Sequence, residues 1–224
     1  MLEHARLVNL DRAANMPNFV VDEIDTRYFA QVDRAGRPNW RYLDTLEAEL
    51  TVRGNQTTRV WRKNGQRATI GFWPAAGGFG TELKPLFSPE CPTTLTYAGK
   101  DKVRGRPVSV YRFASPAGGC FGFVFSRLGQ DRYNAARSGR VLLDDSSGAE
   151  VQYEEEATGL PASFQWIQRN EIMSWDNVKI GDATHWLPVS ADFVWRVDGT
   201  RLHRASVEYK NHRHFEAGTS ITYK

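Results

Sequence analysis

Hydrophobic and polar residues follow two different periods along this chain, and the change between them falls at Phe19. Ahead of it, Leu2, Ala5, Val8, Ala13 and Met16 recur at loosely helical spacing in a stretch without Gly. This predicts an N-terminal helix over Leu2 to Asn15, stopped by Asn15 and Pro17. From Phe19 the period is two. In "FVVDEIDTRYFA", Val20, Ile24 and Tyr28 share one parity while Glu23, Asp25 and Arg27 share the other, as in a long half-buried strand with Ile24 and Tyr28 on its core side. The turn "DRAGRPN" leads into "YLDTLEAELTVRG", "TTRVWRK" and "QRATIGF", a meander of hairpins with a turn signal at Asn64 and Gly65.

The middle of the chain is less regular. "WPAAGGFG" reads as a flexible loop and "TELKPLF" as a short helix capped by Thr81 and limited by Pro85. Strand patterns then return in "TTLTYAG", "RPVSVYRFA", "CFGFVFS", "GRVLLDD" and "AEVQYEEEA", separated by turn-rich pieces such as "DDSSGA". In "HWLPVSADFVWRV" the alternation is longest, with Leu187, Val189, Ala191, Phe193, Trp195 and Val197 on one side. "VDGT" turns that strand back into "LHRASVEYKNHRHF". No repeat, low-complexity tract or linker divides the sequence, so residues 1–224 are read as one mainly β (α+β) antiparallel domain.

Composition narrows the function classes. The 41% hydrophobic and 25% charged residues are those of an ordinary globular chain, which argues against disorder. The net charge of +3 comes from interspersed signs, too weak a bias to imply a nucleic-acid partner. No apolar run reaches the about 20 residues that span a bilayer. "MLEHARLVNLDRAANMPNF" carries charges where a leader has its apolar stretch, so an exported reading implies a leader removed ahead of Met1.

Two cysteines, Cys91 in "FSPECPTTLTY" and Cys120 in "AGGCFGFVF", lie beside turn residues. They lack the partners of a zinc site, which leaves a disulfide or two separate buried thiols. The bridge is the reading carried forward, and it points outside the cytoplasm.

Other candidate chemistry reads as structural. In "EYKNHRHFEAG", His212 and His214 share a parity with Glu208, Lys210 and Glu216, a charged strand face on which spacing marks no third metal ligand. Glu154 to Glu156 alternate faces and read as a charged outer edge, and "GGFG" lacks the setting of a phosphate cradle. There is no nucleophile elbow, Walker loop, zincin or dinucleotide motif, and no cofactor, metal or enzymatic activity is expected.

Taken in order, "MPNFVVDEIDTRYF", "PLFSPECPTTLTYAGKDKVRGRPVSVYRF", "GRVLLDDSSGAEVQYEEEATGLPASF", "VKIGDATHWLPVSADF" and "EYKNHRHFEAGTSITYK" cover nearly the whole chain and resemble a family of uncharacterised exported bacterial proteins. A "G-x-P-V-x-V-Y-x-F" strand, a "D-x-x-T/S-G-x-V" hairpin and a "G-x-x-x-L-P-V" strand recur there in this order. More distantly the arrangement resembles the lipoprotein-carrier half-barrels of the bacterial periplasm. The carriers' cavity arginine has no residue-by-residue match here, so the resemblance implies fold and compartment alone. It implies a single long curved antiparallel sheet, a half-open β-barrel, with the N-terminal helix and the short mid-chain helix over its concave face.

The function expected is that of a non-enzymatic periplasmic or otherwise extracytoplasmic protein holding a lipid or lipoprotein acyl chain in the concave sheet. Its expected lining is Ile24, Tyr28, Trp73, Phe193 and Trp195. The alternative is an envelope interaction or sensor module with a packed core, whose partner is an envelope protein and whose contact patch lies around Phe72, Trp73 and Phe79.

Overall fold

The period-two segments become strands. Helix α1 (Leu2–Ala14) is followed by β1 (Phe19–Val32), β2 (Pro38–Arg53), β3 (Gln56–Lys63) and β4 (Gln66–Arg67). Helix α2 (Leu83–Phe87) precedes β5 (Thr94–Val103), β6 (Arg106–Ser115), β7 (Val124–Phe125) and β8 (Arg132–Tyr133). The chain continues through β9 (Ala136–Asp144), β10 (Glu150–Thr158), β11 (Arg169–Ile180), β12 (Ala183–Arg196) and β13 (Arg201–His214). The structure, a computed structural model, describes residues 1–54, 56–69, 79–122, 124–125, 132–161, 169–196 and 200–215.

Eleven strands form one antiparallel sheet in the order β4-β3-β2-β1-β13-β12-β11-β10-β9-β6-β5, and β7 pairs with β8 apart from it. The sheet does not close, and it has the form of a half-open barrel. Right-handed twist accumulates across neighbouring strands, so an open sheet of this width curls. Residues Phe19 and Val21 of β1, Leu50 and Val52 of β2, Met173 and Trp175 of β11 and Tyr209 of β13 pack on its inner face with Ala5 of α1 and with Leu83, Leu86 and Phe87 of α2. Both helices therefore cover the same face. Their arrangement leaves the outer face to ion pairs such as Arg204–Asp192 and Arg140–Glu154.

Three local readings differ from the sequence expectation. Thr81 does not cap α2; Glu82 occupies the cap position and makes no side-chain cap hydrogen bond. Glu154 to Glu156 lie not on an edge but on β10, which is paired on both sides, with Glu155 turned into the core. Strand β11 carries no sustained alternation that would single it out in advance, yet it joins β10 to β12.

Helix α1 is fastened to the sheet by a polar side chain. Asn9 is fully buried; its amide donates to Gly148 O at 3.0 Å and to Ala5 O at 2.7 Å, and its Oδ1 accepts from the Glu150 backbone N–H at 2.9 Å. Oδ1 also accepts from Arg12 Nη1 at 3.0 Å. Gly148, with φ +72°, lies so close beneath the helix that a Cβ there would come within 3.2 Å of Ala5 Cα and 3.1 Å of His4 Cδ2. Only glycine allows both the turn and this approach.

Cys91 and Cys120 form a disulfide with Cα atoms 5.6 Å apart. It ties the turn after α2 to the segment after β6, where Phe121 stacks on Phe113 at 5.8 Å and Phe113 on Tyr153 at 5.6 Å. Gly139 makes room for that stack, since a Cβ there would meet Phe113 Cε1 at 2.8 Å and Glu154 O at 1.8 Å.

Replacing Asn9 by Leu strands the Glu150 N–H and the Gly148 carbonyl, at about 1–3 kcal/mol for each group left unmet. Urea unfolding should show lower stability for Asn9→Leu and for Gly148→Ala, with earlier proteolytic release of α1. Unchanged midpoints in both variants would show that the helix is held by something else.

Candidate functional site

Backbone register shows what faces the helices. One row across the inner face runs Leu46–Asp25–Val207–Ala191–Met173–Tyr153–Val141–Tyr111 from β2 to β6. The next runs Asp44–Arg27–Ala205–Phe193–Glu171–Glu155–Gly139–Phe113. Small residues at Ala191, Ala205 and Gly139 lower the floor of the sheet, and acidic residues stand among the apolar ones. Glu23, Asp25, Glu155 and Glu171 are all buried on this face, with Glu82 above it at the start of α2 and Glu150 at the start of β10.

Each acid is held in its own way. Arg59 on β3 donates from Nε to Glu23 Oε2 at 2.8 Å, yet burial raises the Glu23 pKa above the ordinary carboxyl value. Glu155 accepts from the Tyr153 hydroxyl and lies 3.6 Å from the Arg137 guanidinium, which itself donates to Gly122 O at 3.2 Å. Burial lifts Glu82 well above its usual range, and the neighbouring Glu150, Glu171 and Glu155 add to the shift. Burial also raises Glu150 to about 8 against the attraction of Arg12. Arg12, stacked 5.5 Å from the Trp175 ring and 5.2 Å from the Trp186 ring, is lowered to about 10 by its own burial. These shifts follow from the cost of charge in a medium of low dielectric, which keeps a buried acid protonated unless a cation or hydrogen bonds offset it.

An open space lies at one rim of this face. A groove of about 490 Å³ runs between the end of α1, the β2–β3 hairpin and α2, lined by Ala13, Val52, Gly54, Thr57, Phe79, Gly80, Thr81, Lys84, Pro85 and Cys120. None of the buried acids lines it. The groove and the acid cluster are thus separate features on the two sides of α2: Leu83, Leu86 and Phe87 are buried toward the core, while Lys84 is exposed.

The residues named from sequence are scattered by this geometry. Ile24 and Tyr28 lie on the outer face, where Ile24 is opposite Glu47 and Glu208, and Tyr28 packs against Tyr42 at 6.2 Å beneath Arg204. The parity expected for β1 is therefore reversed: Phe19 and Val21 seek the core at the start of the strand, and Glu23 and Asp25 follow them inward. Phe193 is buried in the inner core and Trp195 is partly buried against it, with its ring 5.6 Å from His203. Neither lines the groove. Phe79 does, whereas Phe72 and Trp73 lie outside the described residues.

The two histidines of β13 also change face. Asn211 has φ +54° and the β1 register shifts between Val20 and Asp22, so a bulge inverts the parity beyond it. His214 then pairs with Phe19, and His212 stands 5.7 Å from the Phe19 ring with Nε2 3.2 Å from Pro188 O. Burial lowers the His212 pKa. Among the described residues, no group of three or more His, Cys, Asp or Glu is arranged to hold a metal ion, and no helix is long and apolar enough to cross a membrane.

No family model and no curated protein matches the chain. Solved structures similar to it include a DUF1329 family protein from Desulfovibrio piger, at 10% identity and TM-score 0.42, covering 96% of this chain and 93% of that one. A domain from Vibrio parahaemolyticus provisionally described as an outer membrane lipoprotein-sorting protein has 13% identity and TM-score 0.41, covering 98% and 94%. LprF from Mycobacterium bovis has 11% identity and TM-score 0.32, covering 98% and 96%.

The buried acids make stability depend on pH. Glu150, Glu82 and Glu23 have raised pKa values, so they stabilise the fold fully below their ordinary 4.5, and that contribution is lost as pH rises through the folded values, about 8 for Glu150. Asp144 acts in the opposite sense: burial works against its charge, hydrogen bonds from Ser146 and Ser147 outweigh this, and its pKa falls to about 2. Its contribution is present above 3.8 and is lost as pH falls toward 2. The urea midpoint should therefore be highest near about pH 4–5 and decline toward about pH 8, with Glu150→Gln flattening the decline. A wild-type midpoint level across that range would contradict the buried acid cluster.

Proposed function

We propose that this is a non-enzymatic, extracytoplasmic binding protein that shelters the apolar part of a lipid or lipoprotein acyl chain in the groove beside α2. The observation that carries this reading is the groove itself: about 490 Å³, with Val52, Phe79, Pro85 and Ala13 as apolar walls. Its size falls within the range of roughly 300–1,000 Å³ common for small-molecule sites. The Cys91–Cys120 bridge supports an oxidising compartment, where such bonds persist. The site proposed differs from the one expected at the centre of the sheet, because α1, α2 and inward side chains fill that centre.

An interaction or sensor module is the second reading. Tyr42 and Leu43 are 61% and 45% exposed at one end of β2, and Tyr28 adjoins them on the outer face. An exposed apolar group of this kind suits an envelope protein partner.

Native mass spectrometry of protein purified from a bacterial periplasm should show a lipid-sized adduct, and Thr57→Trp, which fills the groove from an exposed position on β3, should remove it. An adduct that survives Thr57→Trp would move the site elsewhere. Consistent absence of any adduct, together with loss of partner capture in Tyr42→Ser, would favour the second reading.

A further inference from the structure

Resting on the groove reading above, we infer that the ligand is an anionic amphiphile, an acyl or alkyl chain ending in a carboxylate or phosphate, with Lys84 as the residue that receives its head. Among the described lining residues Lys84 is the only charged one; the others are apolar, glycine, threonine or the bridged Cys120. Lys84 is exposed and has no ion-pair or hydrogen-bond partner for its ammonium among the described residues. Many other cations on this protein are engaged: Arg59 with Glu23, Arg137 with Glu155, Arg27 with Asp44 and Lys100 with Asp145.

Helix α2 explains the placement. Its other residues, Leu83, Pro85, Leu86 and Phe87, are buried, so its one polar side chain projects from the remaining side, at the groove. The acidic residue that precedes the helix, Glu82, is buried among Glu150, Glu171 and Glu155 on the far side of α2 and does not line the groove. Among the described lining residues, the groove thus joins an apolar wall to one exposed positive charge. A chain with an uncharged head fills the wall and leaves the ammonium to water, whereas a carboxylate or phosphate head forms a charge-assisted hydrogen bond there. The head lies at the exposed end of the groove, where neither partner is fully desolvated, so the pair adds to affinity without the penalty of a buried ion pair.

The test compares two amphiphiles of one chain length, dodecyl phosphate and dodecyl maltoside, by isothermal titration calorimetry on the full chain below their micelle concentrations. Dodecyl phosphate should bind about tenfold more tightly, with Lys84→Gln reducing it to the level of the maltoside and Lys84→Arg retaining it. Inorganic phosphate alone should not displace it. Equal binding of the two compounds, or no effect of Lys84→Gln, overturns the charged-head inference and leaves the groove reading standing. Binding of neither compound overturns both. Displacement by inorganic phosphate would make Lys84 part of a plain anion site and also overturn the inference.

Discussion

An open sheet of eleven strands has one face too apolar for water, and the protein meets that constraint with very little helix. Helix α1 contributes only Ala5 and Asn9 as buried residues, and its Leu7 is turned outward. The hydrophobic effect alone gives such a helix no unique seat. Asn9 supplies one, because a buried amide bonded to the Gly148 carbonyl and the Glu150 N–H tolerates no sliding along the sheet. Arg12, one turn on, is thereby set against Trp175 and Trp186, and the end of α1 is placed where Ala13 closes the groove. Acid cluster and groove both depend on that seat.

The inner face is chemically divided as a result. Beneath the helices, acids are buried so completely that most of the energetic question concerns their protons rather than their charges. Beside α2, the described lining of the groove combines apolar walls, two threonines and one lysine. A half-barrel reading predicts an oily hollow at the centre; what the residues build is a centre packed with apolar side chains and buried carboxyl groups, and a groove displaced to the rim.

Much of the architecture is legible in the sequence because alternation is a direct imprint of the strand: β1, β2, β12 and β13 stand out as long period-two runs, and the turn at Asn64–Gly65 is marked by its residue types. Which face is which is not so legible. In β1 the choice rests with Phe19 and Val21 at its start, and the acids Glu23 and Asp25 are carried inward against their own preference, so Ile24 and Tyr28 end outside. On β13 the bulge at Asn211 reverses the faces of His212 and His214, and nothing in the local composition announces a bulge at an asparagine. The acid cluster draws on β1, β10, β11 and the start of α2, so it exists only in the folded register. The groove is equally invisible beforehand, since its wall combines α1, the β2–β3 hairpin, α2 and a disulfide.

The strand order has a consequence for the history of each molecule. β1 and β13, the first and last of the described strands, are neighbours in the middle of the sheet. Strands β1 to β4 can assemble on one side and β5, β6 and β9 to β12 on the other as separate leaves, but the seam between them waits for β13. Until then two long inner edges stand open, each an invitation to foreign strands. Pairing of β13 with β1, rather than any earlier hairpin, is the step at which this sheet becomes continuous.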